Sequence, residues 1–459
     1  MFPEGFIKRI RTQKYIDAES LIKALDEPSP VSIRLNPSKW KRVPSDSEPV
    51  PWCTYGYYLS KRPSFTLDPL FHAGCYYPQE ASGMFLEQVI MQKVPLKEGI
   101  RALDLCGAPG GKSTHLSSLI AGNGLLIANE VIGSRAAVLS ENLIKWGAPN
   151  TIVTNNDPAS FGKLTGYFDI VFIDAPCSGE GIFRDHRVRR EWSENTTRLC
   201  SDRQKRILMD IWPSLKNGGI LIYSTCTFNP GENEQIIRWF LEQKNAVSEK
   251  IKIAGYTGII EINHQGVPSY AFYPDRIRGE GFFISMIRKT EETVTIQVRS
   301  GNDRFRRIAG EDLKTAIGWT TFAADRIVRM GDEILKLPLN RGEYEFLSRN
   351  LRILSAGTRI CSVMKKDYIP APELALSDGF KKEVFPMASL NYGEAISFLC
   401  RERFLTDKIP KGWSLAGYNG VPLGFVKNVG TRINNYYPVS WRIRMKEPLT
   451  RSAELIKWK

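Results

Sequence analysis

Apolar positions follow two periods in turn over residues 100–234. Short apolar-rich runs have the length of strands: Arg101-Ala-Leu-Asp104, Gly124-Leu-Leu-Ile-Ala-Asn-Glu130, Thr151-Ile-Val-Thr-Asn155 and Phe168-Asp-Ile-Val-Phe-Ile-Asp174. Between them Leu116, Leu119 and Ile120 fall at helical spacing, as does the segment from Arg135 to Trp146. The run ending at Asp174 is nearly continuous, which suits a strand buried on both faces. Such alternation predicts an α/β fold built on a doubly wound parallel sheet. Ligands of these sheets bind outside the carboxyl ends of the strands. Asp104, Glu130, Asp157 and Asp174, each at or just past a strand end, are therefore expected at one crevice.

The flanks predict further units. A chain of 459 residues implies two or three domains. An amphipathic segment from Ile16 to Leu25, two prolines and the strand-like Val31–Leu35 read as a small α+β extension over residues 1–75. Residues 76–290 hold the alternating pattern, 291–400 form a middle domain and 401–459 a basic tail. No apolar run is long enough for a signal peptide or a membrane span, so a cytoplasmic protein with no membrane partner is expected. Eight widely spaced cysteines without a C-x-x-C pair, and only four histidines, argue for free thiols and against a metal site.

Charge then points to a partner. The net charge is +14, and the last 59 residues carry 12 basic against 4 acidic side chains. Among them stand Phe404, Trp413, Tyr418, Phe425, Tyr436, Tyr437, Trp441 and Trp458. Basic groups among aromatics suit a surface that neutralises phosphates and stacks bases; the alternative is a small β domain with an aromatic core. Arg184, Arg187, Arg189 and Arg190, after the Asp174 strand, read either as a grip on an RNA backbone or as a solvated helix face.

The first strand runs into Cys106-Gly-Ala-Pro-Gly-Gly-Lys112, with a helix opening at Ser113. Gly107, Gly110 and Gly111 allow a sharp turn and close approach to a ligand. A phosphate-binding loop requires glycine where Cys106 stands, and Gly107-Ala-Pro109 breaks the dinucleotide fingerprint. An adenosyl ligand without phosphates, S-adenosylmethionine, fits better. Glu130 is placed to accept from its ribose hydroxyls and Asp157 from its adenine amino group.

Two thiols narrow the chemistry: Cys177, in Asp174-Ala-Pro-Cys-Ser-Gly-Glu-Gly181, and Cys226, in Tyr223-Ser-Thr-Cys-Thr-Phe-Asn-Pro-Gly-Glu-Asn-Glu234. Each follows a strand, so neighbouring strands would bring both to the cofactor rim. C5 of cytosine takes a methyl group only after a thiolate adds at C6, and Asp174 is the candidate to hydrogen-bond N3 as charge develops. With Leu105-Cys-Gly-Ala-Pro-Gly-Gly-Lys112, these motifs resemble the Nol/Nop/Sun family of RNA cytosine-5 methyltransferases, and the basic tail is similar to that of its bacterial 16S ribosomal RNA methyltransferase F (RsmF) type. The resemblance implies a Rossmann-like class I S-adenosylmethionine-dependent methyltransferase sheet, with a PUA-like tail that binds RNA. It implies cofactor contacts from Cys106, Gly107, Ala108, Pro109, Gly110, Gly111, Lys112, Glu130, Asp157 and Asp174. It makes Cys226 the nucleophile, Cys177 the thiol that helps break the adduct, and 16S ribosomal RNA or the small subunit the partner of a monomer. One departure is Gly111, where the family often has serine. Alternatives are the same chemistry on transfer RNA, a P-loop ATPase, an amino-group methyltransferase needing no thiols, and a non-catalytic RNA-binding module.

Overall fold

The structure, a computed structural model, describes residues 1–122, 124–297, 308–365, 367–402, 409–444 and 454–459. Its centre is a ten-stranded mixed sheet. In chain order its strands are β1 (Ile100–Asp104), β2 (Gly124–Asn129), β3 (Thr151–Thr154), β4 (Phe168–Asp174), β5 (Leu215–Thr225), β6 (Ala246–Ser248), β7 (Ile260–His264), β8 (Val267–Phe272), β9 (Phe282–Lys289) and β10 (Ile353–Ala356). The spatial order is β7-β8-β9-β5-β4-β1-β2-β3-β10, with β6 on β9. The strands from β3 to β5 pair in parallel, and β9 turns antiparallel against β5.

Burial follows the pleat. Along β4, Ile170 and Phe172 pack into one layer with Ala102, Leu126 and Ile222, whereas Val171 and Ile173 pack into the opposite layer with Leu103, Ile127 and Leu221. All four β4 residues are 0% exposed, and both faces of the sheet are covered, as a continuous apolar run requires. In register, Asp174 of β4 lies beside Ser224 of β5. The two cysteine loops consequently leave the sheet side by side.

The flanking units are tied to this sheet. Residues 31–78 form a four-stranded antiparallel sheet that shares one apolar core with the C-terminal unit, where Ile33, Leu35 and Tyr76 meet Phe398, Leu423 and Tyr437. The helix Glu4–Ile10 packs Phe6 and Ile10 against Phe183 and Phe228, which flank the cysteine loops. The middle region has its own antiparallel sheet and also supplies β10, which covers the edge of β3. In the C-terminal sheet Met387–Ser389 pairs with Gly412–Tyr418, so that sheet takes in residues ahead of 401. Among the described residues no helix is long and apolar enough to cross a membrane.

Candidate active site

The glycine loop is held from three sides. The helix after it opens at Gly111, two residues earlier than the spacing predicts, because Gly110 at φ +120° turns the chain directly into it. A Cβ on Gly107 would stand 2.6 Å from Ser113 Oγ, so no larger residue fits there. Ser113 Oγ donates to Asp104 at 2.6 Å, and burial pushes the Asp104 carboxyl up to about 7. The loop carbonyls are spoken for: Arg135 Nη2 donates to Ala108 O (3.0 Å), Asn142 Nδ2 to Pro109 O (2.7 Å) and Arg34 Nη2 to Gly111 O (3.3 Å). Arg34 also donates to Thr114 Oγ1 at 2.6 Å and lies 4.4 Å over the Trp146 ring. Sequence reasoning missed these three residues, although Arg135 and Asn142 stand two helical turns apart on one face of Gly133–Trp146.

Cys106, Ala108, Glu130, Asp157, Asp174, Cys177 and Cys226 line one cleft of about 780 Å³. Gly107, Pro109, Gly111 and Lys112 line a smaller adjoining hollow of about 240 Å³, which shares Cys106, Ala108 and Asp174 with the cleft; Gly110 lines neither. Glu130 is buried, with Oε1 accepting from Ile132 N (3.0 Å) and Oε2 3.5 Å from Arg135 Nη2. Asp157 is more open: it caps the helix Pro158–Gly162 through Ala159 N (3.0 Å), and Arg206 stands 3.7 Å from its second oxygen. Asn129, absent from the expected set, joins these pieces from a fully buried position. Its Nδ2 donates to Leu105 O and Asn156 O, and its Oδ1 accepts from Thr154 Oγ1 and Asn156 N. The cleft suits S-adenosylmethionine: it is large enough, two carboxylates offer acceptors for hydroxyl and amino groups, and Val131 and Ile132 give it an exposed apolar wall.

At the other end of the cleft the two thiols meet, with Cys177 Sγ 3.3 Å from Cys226 Sγ and Cys226 N donating to Cys177 Sγ at 3.4 Å. All eight cysteines are free. The neighbouring Cys226 thiol and burial together push the Cys177 thiol well above its ordinary value. Asp174 accepts from Ser224 Oγ (2.7 Å) and from Lys112 Nζ (2.9 Å). Burial works against the Lys112 charge, but Asp174 outweighs it and holds the ammonium at about 12.

Two buried carboxylates cross-brace the cysteine loops. Glu232, on the Cys226 side, accepts from Ser178 N (2.8 Å), Ser178 Oγ (2.5 Å) and Gln204 Nε2 (3.3 Å). Glu180, on the Cys177 side, accepts from Phe228 N (3.3 Å) and Trp192 Nε1 (3.0 Å) and forms an ion pair with Arg9, whose Nη2 lies 2.5 Å away. Gly181 N donates to Cys226 O at 2.8 Å between them. Burial pushes Glu232 up to about 7.

Two expectations about basic and aromatic residues need correction. Arg184 and Arg189 do not face solvent: Arg184 donates to Ala24 O and Gly279 O and pairs with Glu280, and Arg189 donates to Phe183 O and Leu25 O, pairs with Asp26 and lies 3.7 Å over Phe2. Both staple the N-terminal segment to the catalytic unit, which leaves Arg187 and Arg190 as the exposed pair. In the tail, Phe425 and Tyr437 are core, Trp413 packs on Tyr436, and Trp458 packs on Trp40 and Tyr76. Phe425 and Tyr437 therefore serve the core and are not stacking platforms, whereas Trp413, Tyr436 and Trp458 are packed on one another or on the N-terminal unit and remain partly exposed. Phe404 lies outside the described residues.

A parallel sheet ordered β3-β2-β1-β4-β5, a glycine loop at its centre and carboxylates at its strand ends define a Rossmann-like S-adenosylmethionine-dependent methyltransferase. Family models match three segments: 16S rRNA methyltransferase RsmB/F over residues 91–288, the N-terminal domain of 16S rRNA methyltransferase RsmF over 2–81, and the methyltransferase RsmF PUA domain over 388–443. The chain is 30% identical over 412 residues to ribosomal RNA small subunit methyltransferase F of Shewanella loihica, covering 85% of this chain and 83% of the relative. It is 29% identical over 409 residues to the protein of the same name from Erwinia tasmaniensis, covering 85% and 84%. Among solved structures, a methyltransferase homologue from Pyrococcus horikoshii is 30% identical with a TM-score of 0.53, covering 63% of this chain and 95% of its own. NSun6 from the same organism shares the fold at 20% identity and a TM-score of 0.52, covering 63% and 99%. The chain belongs to the ribosomal RNA small subunit methyltransferase F family and is an S-adenosylmethionine-dependent RNA methyltransferase with a PUA-like C-terminal unit.

Proposed function

We propose that this enzyme methylates C5 of a cytosine in 16S ribosomal RNA, through a covalent intermediate on Cys226. The observation that carries the reading is the 3.3 Å approach of two thiols beside Asp174 at the mouth of the cofactor cleft; methyl transfer to an amino group would need neither sulfur. The Cys226 thiolate adds to C6, and the displaced electron pair makes C5 nucleophilic while N3 takes up a proton from water, which it gives back when the adduct breaks. Asp174, held by Lys112 and Ser224, hydrogen-bonds that N3 edge. S-adenosylmethionine, when bound, supplies an electrophilic methyl group. Cys177 then helps remove the proton left on C5, the C5–C6 double bond re-forms, and Cys226 leaves as thiolate. Glu130 and Asp157, with the segment Cys106 to Lys112, hold and orient the cofactor.

The chain is read as a cytoplasmic monomer of four units: 1–75, 76–290, 291–400 and 401–459. The pairing of Met387–Ser389 with Gly412–Tyr418 supports moving the last boundary forward to about 386. The test separates the thiols. With a 16S RNA fragment and the cofactor, Cys177→Ala should accumulate a protein–RNA adduct that survives denaturing electrophoresis, whereas Cys226→Ala and the double variant should form none. An adduct with Cys226→Ala alone would reverse the assignment. Absence of any adduct, with methylation intact in both, would remove thiolate addition from the mechanism.

A further inference from the structure

Immediately beyond Cys226 the chain turns through Thr227-Phe228-Asn229-Pro230, and the far side of that turn walls a second groove, of about 580 Å³. Its opposite wall is the N-terminal segment from Arg9 to Tyr15, its floor is Tyr273 and Phe282, and its end is the β7–β8 hairpin at Asn263 and His264. None of these residues has a role in the reaction derived above. The two walls are joined: Arg9 Nη1 and Gln13 Nε2 both donate to Phe228 O, at 3.3 and 2.9 Å. The N-terminal segment is thereby fixed two residues from the nucleophile.

Several groups in this groove are unspent or only partly spent. Lys14 is exposed, its ammonium 5.3 Å over the Tyr15 ring and, among the described residues, outside any ion pair. Asn263 is exposed and uses its Oδ1 on Gly266 N, and its amide N–H groups have no partner among the described residues. Asn229 likewise uses Oδ1 on Gly231 N. The groove contains one carboxyl group, Glu234, and burial pushes it up, toward its neutral form. A partly exposed aromatic ring, an exposed cation outside any ion pair and amides with unused N–H groups among the described residues, in an open groove of this volume, match the requirements of a single-stranded nucleotide, whose base stacks on an aromatic ring and offers an edge to amides while a cation meets its phosphate.

We infer that this groove receives the base of a nucleotide flanking the target cytosine, with Tyr15 as its stacking partner, Asn263 on its edge and Lys14 on the adjoining phosphate. The inference rests on the reading of the chain as an RNA cytosine methyltransferase. A cytosine drawn out of its stack to reach Cys226 pulls its neighbours to the rim, and this groove is the polar recess that begins at the residue after the nucleophile. Lining it with the N-terminal segment makes that unit part of substrate recognition.

The test is a double-mutant cycle on the full chain, using a 16S RNA fragment with an abasic site placed in turn on each side of the target. Wild type should lose about 5- to 150-fold in RNA affinity for one of the two abasic substrates, the range set by one lost stack. Tyr15→Ala should lose a similar factor on intact RNA and almost nothing further on that abasic RNA. Lys14→Ala, an exposed change that leaves the fold alone, should lower the salt dependence of binding by a slope of about 0.7. Cofactor affinity should be unchanged in both variants. Losses that simply multiply for both abasic positions would overturn the inference. So would variants that weaken binding to the assembled small subunit but not to naked RNA, which would assign the groove to a protein. Failure of the underlying reading looks different: wild type would then form no adduct and methylate no cytosine in the same RNA.

Discussion

Glu232→Gln tests whether the cross-brace between the cysteine loops is a buried carboxylate or merely a polar filler. Glu232 is 0% exposed, and burial lifts it from an ordinary value of 4.5 to about 7. At 1.36 kcal/mol per pH unit, that rise corresponds to about 3 kcal/mol. The sign follows from proton binding. Below pH 4.5 the side chain is protonated in folded and unfolded chains alike, and ionisation costs nothing. Between 4.5 and about 7 the folded chain keeps a proton that the unfolded chain has released, so stability falls as pH rises, and the loss is complete above about 7. An amide of the same shape does not titrate. It carries a fixed cost instead, about 1–3 kcal/mol, because its NH₂ must face donors on Ser178 or Gln204. Urea titrations of both proteins from pH 4 to pH 8, followed by fluorescence, give the difference in stability as a function of pH, with all other titrating groups cancelling. That difference should move in favour of the variant by about 3 kcal/mol across the range. A flat difference, or one that moves the opposite way, refutes the desolvated-carboxylate account.

Two further outcomes follow from the contacts around the cleft. Asn156→Ala removes both side-chain bonds to Arg352, Nδ2 to its carbonyl (3.3 Å) and Oδ1 from its N–H (3.0 Å), which tie the Asp157 turn to the middle region; S-adenosylmethionine affinity by calorimetry should fall about fivefold, the equivalent of about 1 kcal/mol. Arg189→Ala should destabilise the fold by about 2–4 kcal/mol, since it strands Phe183 O and Leu25 O, whereas Arg187→Ala should leave stability within about 0.5 kcal/mol and weaken RNA binding. Thermal unfolding beside RNA titration distinguishes the two arginines.

The parallel sheet was legible because each strand declares itself locally, over four to eleven residues, and the carboxylates were legible because strand ends locate ligands. What escaped is long-range. Nothing local marks Ile353–Ala356 as the partner of β3, because that pairing joins segments about two hundred residues apart in the chain. Arg34 sits in a strand of the N-terminal unit, and only the folded chain brings its guanidinium under the glycine loop. Composition counts charges without showing whether they are spent. The run from Arg184 to Arg190 therefore looked like a single basic patch, while half of it is internal. The tail aromatics misled for the same reason, since a small β unit needs a core before it can offer a surface.

The pair Glu180 and Glu232 explains why the sulfurs stay adjacent. A carboxylate removed from water is costly unless its oxygens are saturated by donors, and here Ser178 and Gln204, the donors to Glu232, lie outside its own loop. Ser178 stands one residue after Cys177 and serves Glu232; Phe228 stands two residues after Cys226 and serves Glu180. Neither loop can satisfy its own carboxylate. Each reaches a low energy only when the other is docked in one register, and in that register the thiols are 3.3 Å apart. Apolar residues at 180 and 232 would bury comparable area and pack the loops together, but packing alone tolerates small slips along the contact, whereas directed hydrogen bonds do not. Arg9 carries the same constraint outward by bonding Glu180 and Phe228 O together. The N-terminal segment thus reports on the geometry of a reaction centre that it never touches.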